Sequence, residues 1–192
     1  VSAGEHWIRV RSGLWRHLDG QGFERFELAR SSDGWRLAGT IVAQGPGGPV
    51  EARYQVACDA EWRTRRANVI LQEDAGERRL ALEVSDGRWL ANGEALTGLG
   101  GCADVDLEWT PSTNTLPLRR LAPPVGAGTG PLPVAWVRFP ALTVERAEQD
   151  YRRTSERRYH FSTGSFHADL DVDDEGLVVL YQDGWERVGP YR

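Results

Sequence analysis

Gly101-Cys102-Ala103-Asp104-Val105-Asp106-Leu107-Glu108-Trp109-Thr110-Pro111-Ser112-Thr113-Asn114-Thr115-Leu116-Pro117-Leu118-Arg119-Arg120-Leu121 is the stretch whose patterning decides the fold. Its first half alternates: Cys102, Asp104, Asp106 and Glu108 fall on one face of a strand, and Ala103, Val105, Leu107 and Trp109 on the other. Three carboxylates in a row on one face repel one another. They need water, cross-strand arginines, a cation, or a ligand rich in hydroxyl donors. The second half leaves the strand pattern through a Thr/Ser/Asn/Pro cluster. Thr115 is placed to cap a short helix, with Pro117 in its first turn and Leu118, Arg119, Arg120 and Leu121 continuing it. An acidic strip beside a polar turn suits a sugar site; a solvated strand has the same appearance.

Outward from this stretch the patterning is β. Phe23–Ala29 and Trp35–Val42 read as a hairpin across Ser31-Ser32-Asp33-Gly34. Gln44-Gly45-Pro46-Gly47-Gly48-Pro49 reads as a loop, and Val50–Trp62 as one long strand. Ala67–Gln72 and Arg79–Val84 flank a turn at Glu73-Asp74-Ala75-Gly76. Ser85-Asp86-Gly87 leads into Arg88–Ala91, and Asn92-Gly93 is a tight-turn signal. The Pro/Gly-rich segment Ala122–Pro131 joins this half to a meander of Val134–Phe139, Leu142–Glu148, Arg157–Ser162, Phe166–Val172 and Leu177–Gln182. The 192 residues suit a single domain, 1–192, and the even spacing of short strands favours an all-β sandwich, roll or barrel.

The net charge of −5 and the pI near 5.4 argue against a nucleic-acid partner and against attachment to anionic membranes. No apolar run approaches a transmembrane helix. Val1-Ser2-Ala3-Gly4-Glu5-His6-Trp7 has neither a charged n-region nor an apolar h-region, so a cytoplasmic location is expected, with a cleaved leader as the alternative. Cys58 and Cys102 are too few for a disulfide framework. Both sit in strand-like segments and are expected as buried free thiols, one disulfide being the alternative.

Motifs with a defined chemistry are mostly absent. Asp169-x-Asp171-x-Asp173 begins like a calcium loop, but Gly176 comes too late and Leu180 stands where a Glu is required. The four His are scattered and no Cys-x-x-Cys occurs, so no metal is expected. Gly126-x-Gly128-x-Gly130 runs into prolines rather than a helix, so it is no phosphate loop, and no Gly-x-Ser-x-Gly elbow is present. Trp62-Arg63-Thr64-Arg65-Arg66 is either a solvated basic run or the wall of a pocket. Asp104, Asp106 and Glu108 stand about 7 Å apart along one strand face. Glycosidase carboxylates must flank the scissile bond from opposite sides, which these parallel side chains do not.

Gly101-Cys102-x-Asp104-Val105-Asp106-Leu107 followed by Thr110-Pro111-x-Thr113-Asn114-Thr115-Leu116-Pro117-x-Arg119-Arg120-Leu121 resembles the hallmark of a bacterial glycolipid-binding family long catalogued as a domain of unknown function. The resemblance extends to Cys58-Asp59-Ala60-x-Trp62-x-Thr64-Arg65, Ala135-Trp136-Val137-x-Phe139-Pro140, Gln149-x-Tyr151, Arg158-Tyr159 and Trp185-Glu186-Arg187-Val188, and so covers nearly the whole chain. It departs from the pattern at Ala103, where relatives often carry Leu, and at Glu108, where a smaller or neutral residue is usual. The resemblance implies a large, mainly antiparallel sheet wrapped around a single short helix, distantly similar to carriers that localise lipoproteins. It also implies a homodimer and an acidic pocket.

The residues and the resemblance together point to a non-catalytic binder of a glycolipid or sugar-bearing lipid, with a role in glycolipid metabolism and no cofactor. An enzyme using a carboxylate as general base, or a protein-interaction module, is the alternative. The expected site comprises Asp104, Asp106 and Glu108, the polar turn Thr113, Asn114 and Thr115, the arginines Arg65 and Arg119, and Trp62. Sugar hydroxyls would donate to the carboxylates while aromatics stack on the apolar face of the ring.

Overall fold

The computed structural model describes residues 6–45 and 47–189. Val1–Glu5 of the leader reading and Pro46 of the expected loop lie outside them. Among the described residues, fifteen strands form one sheet: β1 (Ile8–His17), β2 (Gly22–Arg30), β3 (Trp35–Gly45), β4 (Gly48–Cys58), β5 (Thr64–Glu73), β6 (Gly76–Ser85), β7 (Arg88–Ala91), β8 (Glu94–Ala95), β9 (Asp104–Leu107), β10 (Leu132–Arg138), β11 (Thr143–Ser155), β12 (Arg158–Thr163), β13 (Phe166–Val172), β14 (Val178–Tyr181) and β15 (Trp185–Val188). The order across the sheet is β8-β7-β6-β5-β4-β3-β2-β1-β15-β14-β13-β12-β11-β10-β9. Neighbours are antiparallel except β9 and β10. A parallel pair needs a crossover, and that crossover carries the 3₁₀ turn Ser112–Asn114 and the α-helix α1 (Thr115–Leu121). The sheet and single helix agree with the architecture read from the sequence.

Glycines let the sheet curl around the helix. Gly13, Phe26, Gly39 and Tyr54 are register partners across β1 to β4. The Phe26 ring covers Gly13 and the Tyr54 ring covers Gly39 so closely that a Cβ would stand 2.7 and 2.5 Å from them. A strand glycine under an aromatic ring allows the local bend, and the ring restores the lost packing. Trp15 stacks on Phe26 at 3.7 Å and donates its indole N–H to Val178 O, tying β1 to the start of β14. The far edge strand β9 folds back against the start of β5: Thr64 N–H donates to Ala103 O, and Val105 N–H to Thr64 Oγ1. A second threonine, Thr113, accepts the Leu107 N–H. Side-chain hydroxyls thereby satisfy an edge that would otherwise offer free donors.

Several sequence boundaries move. The strand expected from Cys102 shrinks to Asp104–Leu107, and Cys102 lies half-buried in the preceding loop rather than on a strand. Cys58 ends β4 and is buried; neither cysteine forms a disulfide. The long strand expected to reach Trp62 stops at Cys58, because Asp59 Oδ1 accepts the N–H groups of Glu61 and Arg63 and turns the chain, leaving Trp62 at φ +67°. Within the expected loop at 44–49, Gln44 pairs with Pro49 and Gly45 with Gly48, so β3 and β4 extend into it. Strands β1 and β15 were not read from the sequence at all, and β11 runs to Ser155, well past its expected end.

Candidate functional site

The segment Thr110–Thr115, composed like an exposed turn, is buried throughout. It fills the concave side of the sheet and bonds to both walls. On one wall stands Glu24 of β2, fully buried, with Tyr54 of β4 beside it. The Tyr54 hydroxyl donates to Glu24 Oε1, and Thr110 Oγ1 donates to the same oxygen at 2.9 Å. Ser112 Oγ lies 2.7 Å from the Tyr54 oxygen. Glu24 Oε2 is enclosed and has no hydrogen-bond partner among the described residues. Burial pushes the Glu24 carboxyl up to about 8, against the pull of the Tyr54 and Thr110 hydrogen bonds.

On the other wall the protons run one way. Asn114 Nδ2 donates to Pro111 O, so its Oδ1 faces and accepts the Tyr151 hydroxyl at 2.9 Å. Gln149 turns its Oε1 to the same hydroxyl, at 3.2 Å, and its Nε2 to Asp106 Oδ2 at 2.7 Å. Thr113 Oγ1 already accepts the Leu107 N–H, so its proton is free for Asp106 Oδ1, 2.8 Å away. Asp106 is thus the common acceptor of two oriented neutral donors. Burial raises its pKa, the Thr113 and Gln149 hydrogen bonds oppose that, and the charges of Glu108 and Asp104 add to it.

Asp106 opens onto a cavity of about 700 Å³. Polar groups of Thr110, Asn114 and Gln149 share its lining with Trp136, Phe161, Phe166, Tyr181 and Trp185. A second cavity of about 290 Å³ shares His17, Glu108 and Trp185 with the first and continues over Ile41, Ala43 and Trp109. The larger cavity has the size and the mixed lining of a small-molecule site.

The alternation read for the acidic strand is present. Asp104 and Asp106 share a face with their β10 neighbours Val134 and Trp136, and Val105 and Leu107 share the other with Ala135 and Val137. The three carboxylates nevertheless have separate surroundings. Asp104 is buried against helix α1, where Arg120 Nε and Nη2 grip its two oxygens at 3.1 and 2.5 Å. Burial pushes its pKa up while the Arg120 hydrogen bonds and charge pull it back. Glu108 stands at the junction of the cavities, accepting the Phe139 N–H at 2.8 Å and pairing with Arg138 at 3.0 Å. Asp106 alone among them lines the large cavity without an arginine partner.

Of the other expected site residues, Thr113 and Asn114 belong to the Asp106 network. Thr115 instead bonds Gly176 O at 3.0 Å. Arg119 points away from the cavity: it bonds Asp174 O at 3.2 Å and lies 5.3 Å over the Trp62 ring, which stacks on Trp35. Arg65 lines a different groove with Trp7, Ser31 and Glu83. One helix position separates Arg119 from Arg120, and only the helix phase decides which meets the acidic strand. Sequence reading missed Glu24, Tyr54, Gln149, Tyr151, Tyr181 and Arg120. A charged Glu24 at an inward position of an otherwise apolar β2 alternation was the available signal.

Among the described residues, no helix is long and apolar enough to cross a membrane. The fold is similar to the crystal structure of a DUF1089 family protein from Pseudomonas aeruginosa, at 32% identity and a TM-score of 0.78. The match covers 88% of this chain and 92% of that one. The comparison with curated proteins gives no match. The model of the family described as "Putative glycolipid-binding" matches residues 13–187, the span that includes the Asp106 network and both cavities. The chain therefore belongs to that family.

Proposed function

We propose that the protein binds a glycolipid non-catalytically, with the sugar in the Asp106 cavity and apolar chain in the adjoining groove. The observation that carries this reading is the oriented network. Thr113 and Gln149 hold the Asp106 carboxyl group in place on the lining of a cavity walled by aromatic rings. Sugar hydroxyls donate to such a carboxylate, and the aromatic rings of Trp136, Tyr181 and Trp185 on the lining suit the apolar side of a sugar ring. The smaller groove over Ile41, Ala43 and Trp109 suits an acyl or alkyl chain. Asp104 and Arg120 support the site from the helix side, and Glu108 with Arg138 forms its rim.

The family description and the geometry support a binding role. Within the same reading, residues 1–192 act as one domain in the cytoplasm, in glycolipid metabolism, as a homodimer. The outer-face pair Phe23 and Val42, both exposed and in register, is a natural part of a dimer contact. Light scattering at about tens of micromolar, a range set by a micromolar-or-tighter dimer, is expected to give twice the chain mass; a monomer refutes the dimer.

Native mass spectrometry of protein purified from its own host tests the binding reading. A co-purified sugar-bearing lipid is expected on the wild type and absent from Asp106→Asn. A folded variant that keeps the lipid in full refutes the assignment. An enzyme is the second reading, favoured by the raised pKa of Asp106. Recovery of the bound lipid intact after prolonged incubation speaks against it.

A further inference from the structure

Among the described residues, the two side chains that hydrogen-bond the Asp106 carboxyl group are both neutral, and no cation pairs with it. The chain contains no lysine, so every side-chain cation other than histidine is a guanidinium. The two guanidiniums nearest the acidic strand are committed: Arg120 to Asp104 in a two-point grip, and Arg138 to Glu108 and Glu145 while it lies 4.0 Å over the Trp136 ring. No arginine lines the large cavity among the described residues. Both donors to Asp106 are neutral: Thr113 Oγ1 is oriented by the Leu107 N–H that it accepts, and Gln149 turns its Nε2 to the other carboxylate oxygen. That arrangement serves the ionised form. When Asp106 is ionised, against the opposing effect of burial, the cavity holds a partly enclosed negative charge, and Glu108 and Asp183 on the lining add to the negative field.

The walls carry the same preference. Trp136, Phe161, Phe166, Tyr181 and Trp185 present ring faces or edges to the space beside Asp106, and ring faces attract cations. Tyr181 is near enough for the Asp106 charge to raise its pKa, after the larger effect of burial. His17 and His167 are the only basic side chains lining the cavity among the described residues, and His17 is paired with Asp19 at 2.6 Å.

We infer that the headgroup bound in this cavity is an amino sugar whose protonated amine pairs with Asp106. This rests on the reading of the cavity as a glycolipid site and narrows it. A neutral hexose can donate hydroxyls to Asp106 but leaves its charge uncompensated. An ammonium supplies the missing countercharge through a charge-assisted hydrogen bond, about twice as strong as a neutral one. Anionic headgroups meet Asp106, Glu108 and aromatic rings, with no arginine on the lining among the described residues to receive them. A phosphate-bearing amino headgroup brings the same conflict along with its amine.

The test uses defined octyl glycosides and isothermal titration on the intact chain at neutral pH. The probes are octyl glucoside, its 2-amino-2-deoxy and 6-amino-6-deoxy analogues, its 2-acetamido analogue, octyl glucuronide, and short-chain phosphatidylethanolamine. One of the two amino glycosides is expected to bind at least tenfold more tightly than octyl glucoside and its acetamide. The glucuronide and the phosphatidylethanolamine should be weaker still. In Asp106→Asn the amino glycoside should fall to the level of the neutral one or below. Thr113→Val, which removes one donor but keeps the charge, should retain the amine preference at reduced affinity. If octyl glucoside and both amino glycosides bind alike, the amino-sugar inference is overturned while the glycolipid reading stands. Equal binding of phosphatidylethanolamine overturns the sugar part of the inference. If no glycoside binds, the underlying reading fails and this inference with it.

Discussion

Replacing Glu24 by Gln isolates the buried acid from everything else that titrates. In the folded protein burial pushes the Glu24 carboxyl up to about 8, from an ordinary value of 4.5. Below 4.5 both folded and unfolded chains hold the proton and no stability is lost. Between 4.5 and about 8 the unfolded chain releases the proton while the folded one retains it. Folded stability therefore falls by about 1.4 kcal/mol per pH unit across that window and levels off above it. The full window corresponds to about 5 kcal/mol, and the part between pH 5.5 and 8.5 to about 3 kcal/mol. In Glu24→Gln the amide oxygen still accepts from Tyr54 and Thr110, while its NH₂ takes the place of the unpartnered Oε2. The folded wild type already holds one unpaired proton on that oxygen below about pH 8, so the second amide proton is the added cost, about 1–3 kcal/mol. Urea denaturation of both proteins at pH 5.5 and pH 8.5 reads the difference. The variant is expected to be the less stable at pH 5.5. It should then gain about 3 kcal/mol on the wild type by pH 8.5, or about 6–12 °C in melting temperature for a chain of this size. Tyr54 and Cys58, both raised by burial, titrate above this range and largely cancel in the comparison. Parallel stability curves across the range would show that Glu24 does not carry a proton that the unfolded chain lacks, and the reasoning would be wrong.

Asp104→Asn should destabilise the fold by about 3–5 kcal/mol, because it strands Arg120 beside a neutral side chain in a buried setting. Asp106→Asn should cost less, about 1–3 kcal/mol, since its NH₂ meets one of two neutral donors but strands no charge; equal losses for the two in urea denaturation would refute their division into structural and ligand-facing roles. Gly39→Ala places a methyl against the Tyr54 ring and should cost about 1–3 kcal/mol while weakening the Tyr54–Glu24 contact, so a wild-type denaturation midpoint would contradict the close packing. Thiol labelling of the native protein should modify Cys102 slowly and Cys58 hardly at all, with both reacting after denaturation; a single reactive thiol in the unfolded, unreduced chain would contradict two free cysteines.

The sheet and the helix were legible because their signals are local. Period-two alternation in β2, β4 and β6 and the turn pairs Asp86-Gly87 and Asn92-Gly93, all four at positive φ, state strands and hairpins without tertiary help. β1 was hidden because Gly13 breaks its apolar face, and the gap is filled from another strand by Phe26. The end of β11 was hidden for a different reason. Gln149 and Tyr151 point inward, but toward a polar interior, so their alternation carries no hydrophobic signal. The site was legible only in its acidic strand and polar turn. Its other half comes from β2, β4 and β11, which are distant in sequence and meet only through the sheet's curl.

The fate of each carboxylate follows from what faces it across that curl, not from its place in the alternation. Asp104 and Asp106 are two residues apart on one face of one strand. The seven-residue helix sends an arginine to the first, and the 3₁₀ turn before it sends a threonine to the second. A guanidinium closes the Asp104 position: both oxygens are gripped and the pair is buried with the helix. A hydroxyl and an amide only steer Asp106, which lines an aromatic cavity without a guanidinium partner. The same turn reaches back through Thr110 and Ser112 to Glu24 and Tyr54 on the opposite wall. The polar segment thus supports the fold and the site at once. Substitutions within Thr110–Asn114 should therefore lower stability and ligand binding together, whereas substitution of Asp106 itself separates the two.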